Sequence, residues 1–119
     1  MRIMRLGEYL NERPAVQVSD TEAAFVDHII TDWHREALSN GGYQAVVSAD
    51  LNAQPKVKIA QYRIGSPMAR PTKIICIGLN YAKHAAESNM EIPQEPVVFM
   101  KAPDALIGPN DDVRIPKNS

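Results

Sequence analysis

The chain has little of what marks a secreted, membrane-bound or nucleic-acid-binding protein. Its one cysteine, Cys76, lies inside an apolar run, so no intramolecular disulfide is available and a reducing, cytoplasmic setting is expected. No apolar stretch approaches the ~20 residues of a membrane span. The opening Met1-Arg2-Ile3-Met4-Arg5-Leu6 is not followed by the apolar core of a secretion signal, so no membrane partner is expected. Thirteen Lys and Arg stand against 14 Asp and Glu, a net charge of −1, and no basic run occurs. That balance removes the electrostatic case for nucleic acid. Neither GxGxxG nor GxxxxGK[ST] is present, so Gly78 and Asn80 do not mark a phosphate loop. His28 and His34 are six positions apart, the wrong spacing for two ligands on one helix face. Asp104, Asp111 and Asp112 lie among turn formers, where Asp is expected to bond to nearby backbone.

What is present divides at the prolines: two of the nine fall in residues 1–66 and seven in 67–119. Residues 2–6 and 12–18 read as strands with Asn11 in the turn between them. Ser19-Asp20-Thr21-Glu22 has the form of a capping box, predicting a helix whose buried stripe is Val26, Ile29, Ile30, Trp33 and Ala37. Gly41-Gly42 would end it. Residues 43–49 and 56–64 look like further strands. The proline-rich stretch 65–71 reads as a connector between a small first domain, 1–65, and a second segment, 66–119. In that segment, 73–79 reads as a buried strand, 97–101 as another entered through Pro93 and Pro96, 108–111 as a turn and 113–115 as a short strand.

The strand 73–79 runs into Asn80, a residue suited to capping, and then into a helix carrying Tyr81, His84 and Glu87. Steps of three place these side chains on one helical face. A neutral imidazole beside a carboxylate can take a proton from water in mid-reaction, while the carboxylate orients the ring and stabilises the imidazolium. The same spacing equally describes a solvated ion pair worth a few tenths of a kcal/mol. Lys101, at the end of an apolar strand, suits either a substrate carboxylate or a charged strand edge that discourages pairing.

The run from Ser66-Pro67 through Arg70-Pro71, Lys73, Gly78, Asn80-Tyr81, His84 and Glu87 resembles the opening of the catalytic domain of the fumarylacetoacetate hydrolase family. Pro93, Pro96, Phe99-Met100-Lys101, Gly108-Pro109-Asn110-Asp111 and Ile115-Pro116 continue the resemblance in order. Within that family the chain is most similar to bacterial 2-hydroxyhepta-2,4-diene-1,7-dioate isomerases, ureidoglycolate lyases and 2,4-diketo-3-deoxy sugar acid hydrolases. The resemblance implies an α+β fold: a small N-terminal domain, then the first strands and lid helix of a mixed-β catalytic domain. It implies that His84 and Glu87 are a catalytic dyad and that Asn80, Tyr81 and Lys101 contact the substrate. It further implies an oxo-acid substrate, a homodimeric full-length enzyme, and a Mg²⁺ or Mn²⁺ cofactor whose carboxylate ligands fall downstream of Ser119. On that reading this chain alone is an inactive part of a longer hydrolase, isomerase or lyase. The rival expectation is a remnant or interaction module without chemistry of its own.

Overall fold

The computed structural model describes residues 1–117, which form two compact units. One comprises Met1–Arg70 together with the segment from Leu106 onward; the other is Pro71–Ala105.

The first unit is built on an antiparallel meander of four strands in chain order: β1 (Arg2–Leu6), β2 (Arg13–Gln17), β3 (Glu22–Phe25) and β4 (Lys56–Lys58). Between β3 and β4 lie two short helices, α1 (Arg35–Ser39) and α2 (Gly42–Ser48). Successive residues of a strand point to opposite faces, and here both faces are covered. Met4, Leu6, Ala15 and Ala23 pack on one side with Phe25, Val57 and Ile64. Val16, Val26, Ile30, Trp33 and Val46 pack on the other. Trp33 is fully buried, and its indole N–H donates to the carbonyls of Met4 (3.0 Å) and Ala15 (3.3 Å), which face each other across the β1–β2 ladder. One side chain thus joins the helical layer to the first hairpin.

In the first unit four sequence expectations need correction. The Ser19 hydroxyl does accept from the Glu22 amide (3.1 Å), but the element that follows is strand β3 rather than a helix. The amides of Val18 and Ser19 both donate to the Glu22 carbonyl, so the same local motif closes a β2–β3 hairpin. Val26, Ile30 and Trp33 are buried as expected, yet the helical bonding at Val26–Ile30 amounts to one turn, with Ile29 and Ile30 amides both on the Val26 carbonyl. Regular helix begins only at Arg35, where His34 is the cap: its Nδ1 accepts from the Ala37 amide at 3.1 Å.

Residues 43–49 are helix α2 rather than a strand. Only Val46 of Tyr43, Val46 and Val47 is buried, one residue per turn, and the two neighbours are half exposed. Gly41-Gly42 does end α1, with Gly41 left-handed at φ 79°. A Cβ on Gly42 would lie 2.6 Å from the Ala37 carbonyl oxygen, so close passage of α2 over α1 requires glycine there. The stretch 56–64 keeps its ladder only to Lys58; a 3₁₀ turn follows at Ile59–Gln61, and Ile64 then bridges to Leu6. Residues 113–115 form no strand, and Val113 and Ile115 are exposed.

A chain of ion pairs runs through the first unit. Asp32 receives Arg5 through both oxygens (2.8 and 2.9 Å), and Arg5 also reaches Glu12 (3.3 Å). The other Glu12 oxygen takes Arg63 (2.7 Å), whose Nε and Nη2 hold Asp111. The Glu12 side chain is only 5% exposed, so its charge is sustained by pairing. Burial pushes the Glu12 carboxyl up, but the Arg63 hydrogen bond, a backbone bond and the charges of Arg5 and Arg63 together hold it below its ordinary value. The hydrogen bond from Arg63, aided by the Gly108 amide, likewise lowers Asp111.

Two outcomes are expected. Trp33→Phe removes the indole donor and leaves a cavity at a fully buried site, and should lower unfolding free energy in urea by about 2–4 kcal/mol. An unchanged midpoint would show that the two carbonyl bonds contribute nothing. Because Glu12 and Asp111 bind protons more weakly folded than unfolded, their contribution is complete above the ordinary carboxylate range near ~4 and is lost as pH falls through the lowered folded values. Thermal midpoints should therefore drop steeply below about pH 4, and Glu12→Gln should flatten that slope. A slope unaltered by the substitution would remove Glu12 from the account.

Candidate active site

The second unit carries every residue that the sequence marks for chemistry. Strand β5 (Ile74–Gly78) pairs antiparallel with β6 (Val97–Lys101), and helix α3 (Ala82–Glu87) follows β5 directly. The chain leaves the strand through Leu79, which takes a left-handed φ of 48°, a conformation costing a non-glycine residue roughly 1–2 kcal/mol. Asn80 does not cap the helix as its residue type suggests. Tyr81 occupies the N-cap position, with no side-chain capping bond.

The other end of α3 is closed more firmly. Asn89 is left-handed (φ 51°), its amide donates to the Ala86 carbonyl, and the Met90 amide reaches back to Ala85 at 2.9 Å. This pair of bonds is a Schellman closure with Asn in the position usually held by glycine. Ala85 is buried, whereas Tyr81, Lys83, His84 and Glu87 are exposed. The helix therefore settles on its smallest residue and leaves its polar residues free.

His84 and Glu87 stand one helical step of three apart, with Cβ atoms about 5–6 Å from each other by helix geometry. Among the described residues no hydrogen bond or ion pair joins them, so bringing the two side chains together requires a rotamer change. Tyr81 precedes them by the same spacing and is 73% exposed.

Lys101 is placed by the ladder. It faces Ile74, while the helix departs beyond Gly78, which faces Val97. Four residues of strand, roughly 13 Å, separate those two ends, so Lys101 is remote from the strand-to-helix junction. Ile74, Cys76 and Gly78 share one half-covered face, and Cys76 faces Phe99. A Cβ on Gly78 would touch Val97 and Phe99 at 3.4–3.5 Å, ordinary packing distances. Glycine is thus not demanded there by crowding.

Among the described residues no group of three His, Cys, Asp or Glu could hold a metal ion. The carboxylate ligands expected for Mg²⁺ or Mn²⁺ lie outside the described residues. Nor does any helix of the described residues have the length and apolarity to cross a membrane. Sequence reasoning missed the Glu12–Arg63–Asp111 linkage. Asp111 does accept from the Gly108 amide (2.7 Å), the local turn bond expected of it, but nothing in the sequence pairs it with an arginine 48 residues earlier.

Comparison with known proteins bears out the resemblance read from the motifs. Residues 73–119 match the family described as fumarylacetoacetate (FAA) hydrolase C-terminal. Over its full length the chain is 40% identical to a 2,4-didehydro-3-deoxy-L-rhamnonate hydrolase of Sphingomonas sp. (strain SKA58). It is 38% identical to a protein provisionally named a hydrolase from Burkholderia multivorans (strain ATCC 17616 / 249). The chain covers 40% and 42% of those proteins, so it spans about two fifths of the length of the curated relatives it matches. The crystal structure of a protein provisionally named HpcE from Mycobacterium smegmatis superposes on the whole chain with a TM-score of 0.69 and 26% identity, over 42% of its own length. The α+β architecture expected from sequence stands.

The opposite face of the β5–β6 ladder generates a prediction. Ile75 faces Met100 and Ile77 faces Val98, and all four are 46–68% exposed. An open apolar face of this kind recruits other chains. Light scattering of residues 1–119 should show mass rising with concentration. Ile77→Lys with Val98→Glu, a favourable cross-strand pair, should suppress the rise, whereas Tyr9→Ser on the first unit should not. Equal association of all three proteins would rule this face out.

Proposed function

We propose that this chain supplies the water-activating helix of a hydrolase that cleaves a carbon–carbon bond in a 2-oxo or 2,4-dioxo acid. The observation that carries the reading is α3 itself. Directly after a strand end it displays Tyr81, His84 and Glu87, exposed and at spacings of three, within the segment that matches the hydrolase family. The substrate class is supported by the name of the Sphingomonas relative, a hydrolase of a 2,4-didehydro-3-deoxy sugar acid.

In this reading a water molecule adds to the carbonyl carbon distal to the carboxylate. Its proton passes to a ring nitrogen of His84, and Glu87, after the rotamer change, holds the ring and stabilises the imidazolium. The carbon–carbon bond then breaks, its electron pair remaining on the 2-oxo acid as an enolate. Return of the proton to that carbon yields a carboxylic acid and a 2-oxo acid. Isomerisation or decarboxylation would pass through a related enolate. Tyr81 and Asn80 would line the approach to the helix. Lys101, at the far end of the ladder, suits the anionic end of the substrate rather than the reacting carbon. Mg²⁺ or Mn²⁺ and a homodimeric assembly belong to the same proposal, with cation ligands from outside the described residues.

In the protein that bears this segment, His84→Ala and Glu87→Gln should each lower kcat on a 2,4-dioxo acid by about 10²–10⁴, the usual worth of general-base catalysis. KM should change little, because both groups act in the chemical step. Lys101→Met should instead raise KM. Near-normal turnover in His84→Ala would end the assignment.

A further inference from the structure

The unit that bears α3 is an excursion: the chain leaves the first unit at Arg70 and rejoins it at Leu106. Both ends of the excursion are fastened on the first unit. At the outgoing end, residues 63–65 lie along β1, with the Gly7 amide donating to the Arg63 carbonyl (3.0 Å) and the Gly65 amide to the Arg5 carbonyl (2.9 Å). The buried Ala69 adds a bond from its amide to the Trp33 carbonyl (2.9 Å). At the returning end, Gly108 is buried, and a Cβ there would collide with the Ile64 carbonyl. Asp111 then meets Arg63 through both oxygens while holding its own turn through the Gly108 amide. The returning chain is therefore sewn to the outgoing strand at adjacent residues, Arg63 and Ile64.

We propose that the Arg63–Asp111 pair is a clasp that anchors the returning end of the excursion within the first unit. Arg63 suits this role because Glu12 already fixes its guanidinium (2.7 Å), leaving a preset fork for a bidentate carboxylate. Past the clasp the chain becomes exposed at Val113 and Ile115. Release of residues 106–111 would free a segment of about six residues, roughly 13 Å of r.m.s. reach. The clasp is independent of the activity proposed above, and its test uses no turnover measurement.

Nitroxide labels at His28→Cys and Val113→Cys, both exposed positions of the first unit, report the spread of separations in a Cys76→Ala background. Asp111→Asn should broaden the distance distribution by on the order of 10 Å, with Trp33 emission unchanged. Asp112→Asn, one residue on and exposed, makes the same charge change and should leave the distribution as narrow as in the parent. Gly108→Val should reproduce the broadening by steric expulsion. A distribution as narrow in Asp111→Asn and Gly108→Val as in Asp112→Asn would overturn the proposal. Should both variants lose the Trp33 signal of a folded unit, amide hydrogen exchange of the unsubstituted chain decides. The Gly108 amide, bonded to the Asp111 carboxylate, should exchange at least tenfold more slowly than the exposed Asn110 amide. Equal rates at the two positions would overturn the clasp as well.

Discussion

The carboxylate of Glu12 is the point on which the first unit turns. Almost wholly removed from water, it is divided between Arg5 and Arg63, one oxygen to each. A buried charge deprived of one partner is far more costly than the intact group is stabilising. Each arginine therefore has to be where it is: Arg5 on β1, reaching Asp32 just before Trp33, and Arg63 on the segment lying along β1. The network fixes strand, helical layer and returning chain to one another without any of them being long. Its geometry also explains how strands of three to five residues hold register, since the ladder is pinned from the side by Arg5 and by the Trp33 indole.

Much of this was legible in the sequence where local chemistry decides. The strands 2–6, 73–79 and 97–101 appear within a residue or two of their expected bounds, because β-branched and apolar runs with turn residues on both sides leave few alternatives. Misreadings arose where one local motif serves two structures. A serine oxygen accepting an amide three residues on begins helices and closes hairpins alike, and here Ala23 and Ala24 are small enough to sit in a sheet covered on both faces. Residues 43–49, expected as a strand, pack as a helix, with Gly42 allowing close passage over Ala37. The buried stripe survived the change of element: Val26, Ile30 and Trp33 are core residues although no continuous helix holds them.

For the candidate site the sequence specified the elements and their order, and the structure adds how they are supported. Leu79 and Asn89, each left-handed, bound α3 at its two ends, so the helix is shaped chiefly by its own backbone. Lys101 could not be placed without the register, which follows only from cross-strand pairing. The ion pairs spanning 27 to 51 residues had no sequence signal at all, since charge complementarity does not specify which of 13 cations meets which of 14 anions.

The discontinuity of the first unit has a bearing on the order in which the chain takes shape during synthesis. Arg63 emerges 48 residues before Asp111. At about 5–20 residues per second, that interval lasts roughly 2–10 s. Hairpin and helix formation is complete within microseconds, so the sheet, the Trp33 contacts and the Glu12 pairing can all form while the excursion is still being made. The last turn thus emerges after every other residue of that unit's core, with ample time for its seat to be built beforehand.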